Sequence, residues 1–259
     1  MKATIVIPAR FGSTRFPGKP LALISGKSLI YRTWLIAKAV KHVDEIYITT
    51  DDSRIERHAL EFGAKVIMTS ESCENGTIRV YEAITNAGLS PEIIINLQGD
   101  AVLTPPWVIQ SLLDEMLGDP AVGFGTLATK LEKEQYDLMV SSKAKGTVGG
   151  TTVVFDLNQN ALYFSKAMIP FARNLDNFSA YKHIGLYGYR YATLKKYIDL
   201  APTPLEIAES LEQLRALEHG IPIRVVIVDY GGRTAWAIDS PNDVTIVEKV
   251  ISKEGELLP

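Results

Sequence analysis

The sequence predicts a single α/β domain over residues 1–259, with a mainly parallel sheet covered on both faces and a smaller inserted lobe in its second half. Three observations predict it. From residue 3 to residue 117, short apolar runs alternate with segments of helical period. That β-α-β-α order is what the crossovers of a parallel sheet require. After Gly118 the rhythm changes, and strands are separated by a polar stretch over 130–150. Finally, no linker, fixed-period repeat or low-complexity tract divides the chain, so two independent domains are not expected.

Each element has its own signal. Ala3, Thr4, Ile5, Val6 and Ile7 form an apolar run that reads as a buried strand. Residues 29–40 have helical periodicity, and 45–49 read as a strand. Residues 53–62 read as a helix begun by the acid pair Asp51-Asp52. The pattern continues with a short strand at 65–68, a helix at 77–87, a strand at 92–97 and a helix at 107–117. In the second half, strands are expected at 123–129, 151–156, 183–190 and 223–228, and the stretch 163–174, which contains Pro170, reads as irregular. One strong helix is expected over 205–218, ended by Gly220. A closing helix over 240–251 has Ser240 as N-cap and Pro241 at its first position.

Composition excludes several functions. The formal net charge is −3, which suits neither a nucleic-acid coat nor an anionic membrane surface. A phosphate ligand would need a few placed cations and backbone amides. The single cysteine, Cys73, excludes an internal disulfide and a thiolate zinc cluster, and suits a reducing cytoplasm. No stretch approaches the roughly 20 apolar residues of a membrane span. The first apolar run is too short for a signal peptide, and the tail 254–259 is expected to fray.

The richest segment directly follows the first strand: Pro8-Ala9-Arg10-Phe11-Gly12-Ser13-Thr14-Arg15-Phe16-Pro17-Gly18-Lys19-Pro20. Loops at the carboxyl ends of parallel strands are where open α/β sheets bind ligands. Glycines let backbone amides approach phosphate oxygens. Arg10 and Lys19 could neutralise a triphosphate and the charge that develops on it. Five residues separate Gly12 from Gly18, and Pro20 stands where a Walker A loop has Ser or Thr, so this is a different phosphate loop. The plainer alternative is a solvated basic turn.

Two acids suit a metal. Asn96-Leu97-Gln98-Gly99-Asp100 places one carboxylate at the carboxyl edge of the sheet, and Asp239 sits at a strand-to-helix junction near the C-terminus. Magnesium commonly takes one or two carboxylates plus substrate phosphates and waters. Asp100 could instead be a turn residue, and Asp239 could simply assist the helix N-terminus. His42, His58, His183 and His219 show no metal spacing, and no nucleophile motif is present. The chemistry expected is direct displacement at phosphorus, driven by positioning and charge.

These motifs, in this order, resemble the 3-deoxy-manno-octulosonate (KDO) cytidylyltransferases. The resemblance starts with the loop above and continues through Thr50-Asp51-Asp52, Met68-Thr69-Ser70, Gly76-Thr77-x-Arg79 and Asn96-x-Gln98-Gly99-Asp100. It resumes at Ala161-Leu162-Tyr163-Phe164-Ser165, Ile169-Pro170 and His183-Ile184-Gly185-Leu186-Tyr187-Gly188-Tyr189-Arg190. It ends with Pro204-Leu205-Glu206, Glu209-x-Leu211-Glu212-Gln213-Leu214-Arg215 and Asp239-Ser240-Pro241-x-Asp243. Nearly the whole chain is covered.

The resemblance implies a Rossmann-like, nucleotide-diphospho-sugar-transferase-like domain whose stretch 130–220 binds sugar and dimerises. It implies a cytoplasmic homodimer that uses CTP, Mg2+ and an acidic eight-carbon sugar in lipopolysaccharide synthesis. Arg10, Lys19 and Asp100 are then the catalytic residues. Pro8, Ala9, Arg10, Gly12, Ser13, Lys19, Asn75, Gly76, Arg79 and Gln98 surround the nucleotide. Gln98, Lys166, His183, Tyr187, Glu212 and Gln213 face the sugar, and Asp100 and Asp239 hold the metal.

Departures from the family pattern stand beside these matches. Ala101-Val102 replace a usual Glu-Pro, Ile78 replaces an acid, and Lys166 replaces an arginine. Thr147-Val148-Gly149-Gly150-Thr151 replace a Pro-Asn-x-Val-Lys pattern, and the connection from Pro170 to His183 is short. They suggest a changed sugar pocket, with the 8-amino-8-deoxy analogue of KDO as one substrate and drift as the alternative. Competing readings are a cytidylyltransferase for another acidic sugar such as a nonulosonate, and a non-catalytic CTP-binding regulator. Taken singly, His183 could be a buried polar residue, and Glu212 and Gln213 a solvated helix face.

Overall fold

The computed structural model describes residues 2–146, 149–174 and 179–257. Its strands are β1 (Ala3–Ala9), β2 (Leu23–Ile24), β3 (Lys27–Ser28), β4 (Glu45–Thr50), β5 (Lys65–Met68), β6 (Ile93–Asn96), β7 (Phe124–Lys130), β8 (Thr152–Phe155), β9 (Ala161–Ser165), β10 (Tyr181–Arg190) and β11 (Arg224–Ile227). Its helices are α1 (Leu29–Lys38), α2 (Ser53–Glu61), α3 (Gly76–Asn86), α4 (Pro106–Gly118), α5 (Lys133–Ala144), α6 (Tyr191–Ile198), α7 (Pro204–Glu209), α8 (Gln213–Glu218) and α9 (Pro241–Glu254).

The central sheet runs β11-β7-β10-β6-β1-β4-β5, with β8 and β9 added beside β10. β5, β4, β1 and β6 are parallel, as are β11 and β7, and β10 runs antiparallel between β6 and β7. β1 is buried at all seven positions, as a strand covered on both faces must be. Its alternating side chains feed two cores. Ile5 and Ile7 join α1, α2 and α4 on one face. Val6 joins α3, α6 and α8 on the other. A third cluster joins Ile24 and Leu29 to Val102, Leu103, Ile238 and Val247. That cluster fixes the approach to α9 against the turn after β6.

Several expectations are corrected. Residues 130–150 are not simply a polar connection, because α5 lies there, opened by a capping box between Glu132 and Gln135. Its apolar residues Leu138, Met139 and Val140 are consecutive rather than spaced along one face, so no helical period announces it, and none of its residues is buried. Part of 163–174 is regular, since β9 pairs with β8. The helix expected over 205–218 is two short helices, broken where Ser210 takes φ +50°. The hairpin of β2 with β3, and α6, were not expected.

The stretch 130–220 supplies β10 to the sheet's middle and β8 and β9 off its main path. The tail does not fray at once. Glu254 ends α9 and binds Thr234, and Glu256 pairs with the buried Arg32 at 2.7 Å. Leu258 and Pro259 of that tail, and Thr147 and Val148 of the departing segment, lie outside the described residues. Among the described residues, no helix is long and apolar enough to cross a membrane.

Candidate active site

A cleft of about 570 Å³ opens at the carboxyl ends of β1 and β6. The loop after β1 contributes Arg10, Ser13, Arg15 and Lys19 to its wall, following Pro8 and Ala9 of β1 itself. The loop is folded on itself. The amides of Ser13 and Gly18 both donate to the Phe11 carbonyl, and the Phe16 amide donates to Ser13 Oγ. Gly18 has φ +69°, and the Phe11 ring lies 3.1 Å from where a Cβ would stand, so a side chain there would meet both backbone strain and a clash. Gly12 does not line the cleft.

The sequence-predicted carboxylates meet here. Lys19 Nζ donates to Asp100 Oδ2 and to the Ile238 carbonyl, both at 2.8 Å. The Ile238 amide in turn donates to the Asp100 carbonyl at 3.4 Å. Asp100 and Asp239 therefore come together through one lysine and one backbone bond, although 139 positions separate them in the chain (239 − 100). Arg15 pairs with Asp239 at 3.0 Å. The turn after β6 is tight, because a Cβ on Gly99 would stand 2.7 Å from the Pro8 carbonyl oxygen. Among the described residues, no group of three or more His, Cys, Asp or Glu gathers. Two carboxylates facing a phosphate loop are nonetheless the hard oxygen donors that magnesium takes together with nucleotide and water.

The other wall comes from the start of α3, with Asn75, Gly76 and Arg79. The Asn75 side chain accepts from the Ile78 amide and caps the helix. Arg79 borders the cleft, and its buried guanidinium holds Asp51 at 2.7 Å, Thr69 Oγ1 at 2.7 Å and the Ser70 carbonyl at 3.3 Å. It ties together the ends of β4 and β5 beside this wall.

Of the residues expected to face a sugar, Gln98, Tyr187 and Glu212 line the cleft. The register of β10 against β7 slips between Ile184 and Tyr187. Gly185 and Tyr187, at this irregularity, line the cleft. Tyr187 donates its hydroxyl to Gln213 Oε1 at 3.1 Å, so Gln213 stands behind it and is itself buried. Glu212 Oε1 accepts from Thr77 Oγ1 at 3.1 Å, while its Oε2 is buried without a partner. Burial pushes the Glu212 carboxyl up to about 7, with the Thr77 bond acting against it. Glu212 is thus not a solvated helix face.

His183 and Lys166 are corrected. Neither borders the cleft. His183 is buried against Phe164, 2.9 Å from Thr126 Oγ1, and burial pushes it down to about 3, so it is a neutral core residue. Thr126 gives its one hydroxyl proton to the Leu186 carbonyl at 2.9 Å, which leaves Nε2 of His183 as the donor to Thr126. Lys166 is held through its main chain, its amide donating to Glu209 and its carbonyl accepting from Lys143. The departures Ala101 and Ile78 also lie outside the cleft wall, so with Lys166 none of the three reshapes it directly.

Sequence reasoning missed Arg15, Cys73, Glu74, Gly185 and Ser210 as wall residues. Cys73 is not poised for chemistry, because burial and its contact with Glu82 push its thiol up to about 11. Ser210 lies at the break between α7 and α8, where it takes φ +50°.

Comparison with known proteins agrees with this geometry. A family model described as cytidylyltransferase matches residues 4–224. The chain is 50% identical over 259 residues to a 3-deoxy-manno-octulosonate cytidylyltransferase of Maricaulis maris, covering 100% of both. It is 42% identical over 252 residues to an 8-amino-3,8-dideoxy-manno-octulosonate cytidylyltransferase of Shewanella pealeana, covering 96% of this chain and 98% of that one. A solved structure of CMP:2-keto-3-deoxy-manno-octonic acid synthetase complexed with CTP superposes with a TM-score of 0.88 at 37% identity, over 98% of this chain and 100% of that one.

Proposed function

The chain belongs to the cytidylyltransferase family, and from that premise we propose that it transfers CMP from CTP to KDO or its 8-amino-8-deoxy analogue, releasing diphosphate, in lipopolysaccharide synthesis. The observation that carries this reading is the meeting of Arg10, Arg15 and Lys19 with Asp100 and Asp239 in one cleft. The anomeric hydroxyl oxygen of the sugar attacks the α-phosphorus in line. The bond from that phosphorus to the β-bridging oxygen breaks, diphosphate leaves, and the hydroxyl proton is lost.

Arg10 and Lys19 bind the triphosphate and balance charge building on the leaving diphosphate. Backbone amides of the loop, ordered around Phe11, approach the phosphate oxygens. Gln98 and the capped start of α3 border the nucleoside side, and Tyr187 and Glu212 border the sugar side. Mg2+ is the proposed cofactor, held by Asp100 and Asp239. When bound, the ion supplies positive charge to the phosphates and lowers the pKa of a coordinated hydroxyl. The same reading carries a cytoplasmic homodimer. Support comes from the lone free thiol Cys73 and from the exposed apolar side chains Leu157, Leu162 and Ile207 within 130–220.

Diphosphate release with CTP and Mg2+ tests the reading, comparing KDO, its 8-amino analogue and no sugar. Release that requires either sugar supports it, and the stronger of the two identifies the substrate. Silence with both, alongside release with another acidic sugar such as a nonulosonate, would replace the acceptor. CTP binding without release for any sugar would point to a regulator.

A further inference from the structure

We propose that Arg15 is an exchangeable counter-ion, which neutralises Asp239 in the nucleotide-free protein and moves to the nucleotide's phosphates when CTP arrives. The proposal rests on the functional reading above and adds a role for a residue that reading uses only as one cation of the cleft.

The two ion pairs at the site are unlike. Lys19 and Asp100 are 18% and 27% exposed, and Lys19 is held further by the Ile238 carbonyl. Arg15 and Asp239 are 69% and 55% exposed, and a single 3.0 Å contact joins them. An exposed pair of this kind contributes little and is given up at little cost. A triphosphate offers the guanidinium a better partner, because charge-assisted, forked contacts to phosphate are the stronger kind.

The neighbours of Asp239 leave it open to exchange. The nearby acid Asp243 is committed, since its carboxylate caps α9 through Ser240 and also accepts from the Asp239 amide and from Trp236. Asp239 keeps its own carboxylate free of such duties, with Arg15 as its partner. Arg15 lies on the folded phosphate loop between Ser13 and Lys19, and all three side the cleft. A small shift of that loop therefore moves Arg15 away from the carboxylate and toward the nucleotide.

The consequence is a coupling. A divalent cation entering the empty cleft competes with Arg15 for Asp239. Once the nucleotide has drawn Arg15 away, that competition is gone. Cation and nucleotide then favour one another, by the same factor in both directions.

Arg10 supplies the control. It borders the same cleft and makes no ion pair among the described residues. The test uses the full chain and two separate titrations without sugar. In the first, Mn2+ is added without nucleotide, and the electron paramagnetic resonance signal of the free ion reports binding. In the second, CTP is added in EDTA, followed by calorimetry. Arg15→Gln is expected to bind Mn2+ about threefold to fivefold more tightly than wild type, the worth of an exposed pair, and to bind metal-free CTP more weakly. Arg10→Gln is expected to weaken CTP binding while leaving the Mn2+ affinity near the wild-type value.

An unchanged Mn2+ affinity in Arg15→Gln would overturn the proposal. So would an equal gain in Arg10→Gln, which would show a general field rather than an exchanged pair. If wild type bound no CTP even in a parallel titration with Mg2+ present, the functional reading would fall, and this inference with it. Intact CTP binding with no Mn2+ effect would remove the role of Arg15 alone.

Discussion

Lys19 Nζ lies 2.8 Å from Asp100 Oδ2, and the same ammonium holds the carbonyl of Ile238, the residue before Asp239. The first loop of the chain thereby fastens the turn after β6 to the start of α9. Substituting Asp100→Asn keeps an acceptor for Lys19 but removes the charge. Turnover is expected to fall by roughly 100-fold or more, the usual loss when one electrostatic contact to a transition state goes. The melting temperature should stay close to wild type. Initial rates of diphosphate release together with thermal melts check both halves. Wild-type rates would remove Asp100 from the chemistry.

At Gly99 the turn after β6 passes close against the end of β1. An added Cβ would stand 2.7 Å from the Pro8 carbonyl oxygen, which is backbone and gives way only by moving the strand end. Gly99→Ala is expected to destabilise the fold by about 1–3 kcal/mol. It should also weaken CTP binding, since Pro8, Gln98 and Asp100 share that wall. A variant as stable as wild type that binds CTP equally well would show that the turn can relax freely.

Arg79 holds together the ends of β4 and β5 through Asp51, Thr69 and Ser70. Removing one partner of a buried pair leaves an uncompensated charge, so Arg79→Ala should cost about 3–5 kcal/mol. Arg79→Lys should recover only part of this, because an ammonium cannot reproduce the fork that reaches all three partners. Chemical denaturation measures both. A neutral Arg79→Ala would mean that Asp51 finds water instead.

Glu212 gives a dependence on pH with a definite sign. Burial holds its carboxyl at about 7, above the ordinary 4.5. The folded chain therefore binds this proton more tightly than the unfolded chain does. The stabilisation is complete below about pH 4.5 and is lost as pH rises toward 7. Glu212→Gln keeps a neutral group there, so its melting temperature should gain on wild type across that window and hold the gain above it. Parallel curves from pH 4 to 8 would show that water or a cation compensates the ionised carboxylate.

Much of the site was legible because its signals are local. The buried run of β1, the glycines and cations of the following loop, and the acids at two strand ends each announce themselves within a few residues. The N-cap Ser240 follows the same logic. What was illegible depends on distant partners. His183 sits in a strand motif with Tyr187, and both are buried with their rings 5.8 Å apart, yet only Tyr187 reaches the cleft wall. Lys166 lies off the cleft wall, its main chain bonded to Glu209 and Lys143. The ion partner of Arg79, Asp51, lies 28 positions away. α5, whose apolar residues gather on no single face, offered only its capping box.

Cytidylyl transfer in this cleft is tested most directly by phosphorus NMR of wild type and Asp100→Asn with CTP, Mg2+ and each of KDO and its 8-amino analogue. The account predicts that, with at least one of the sugars, wild type converts the three CTP resonances to free diphosphate and one phosphodiester at the former α-phosphorus, while Asp100→Asn leaves CTP intact. Unchanged CTP in wild type with both sugars, or equal conversion by the two proteins, would contradict it.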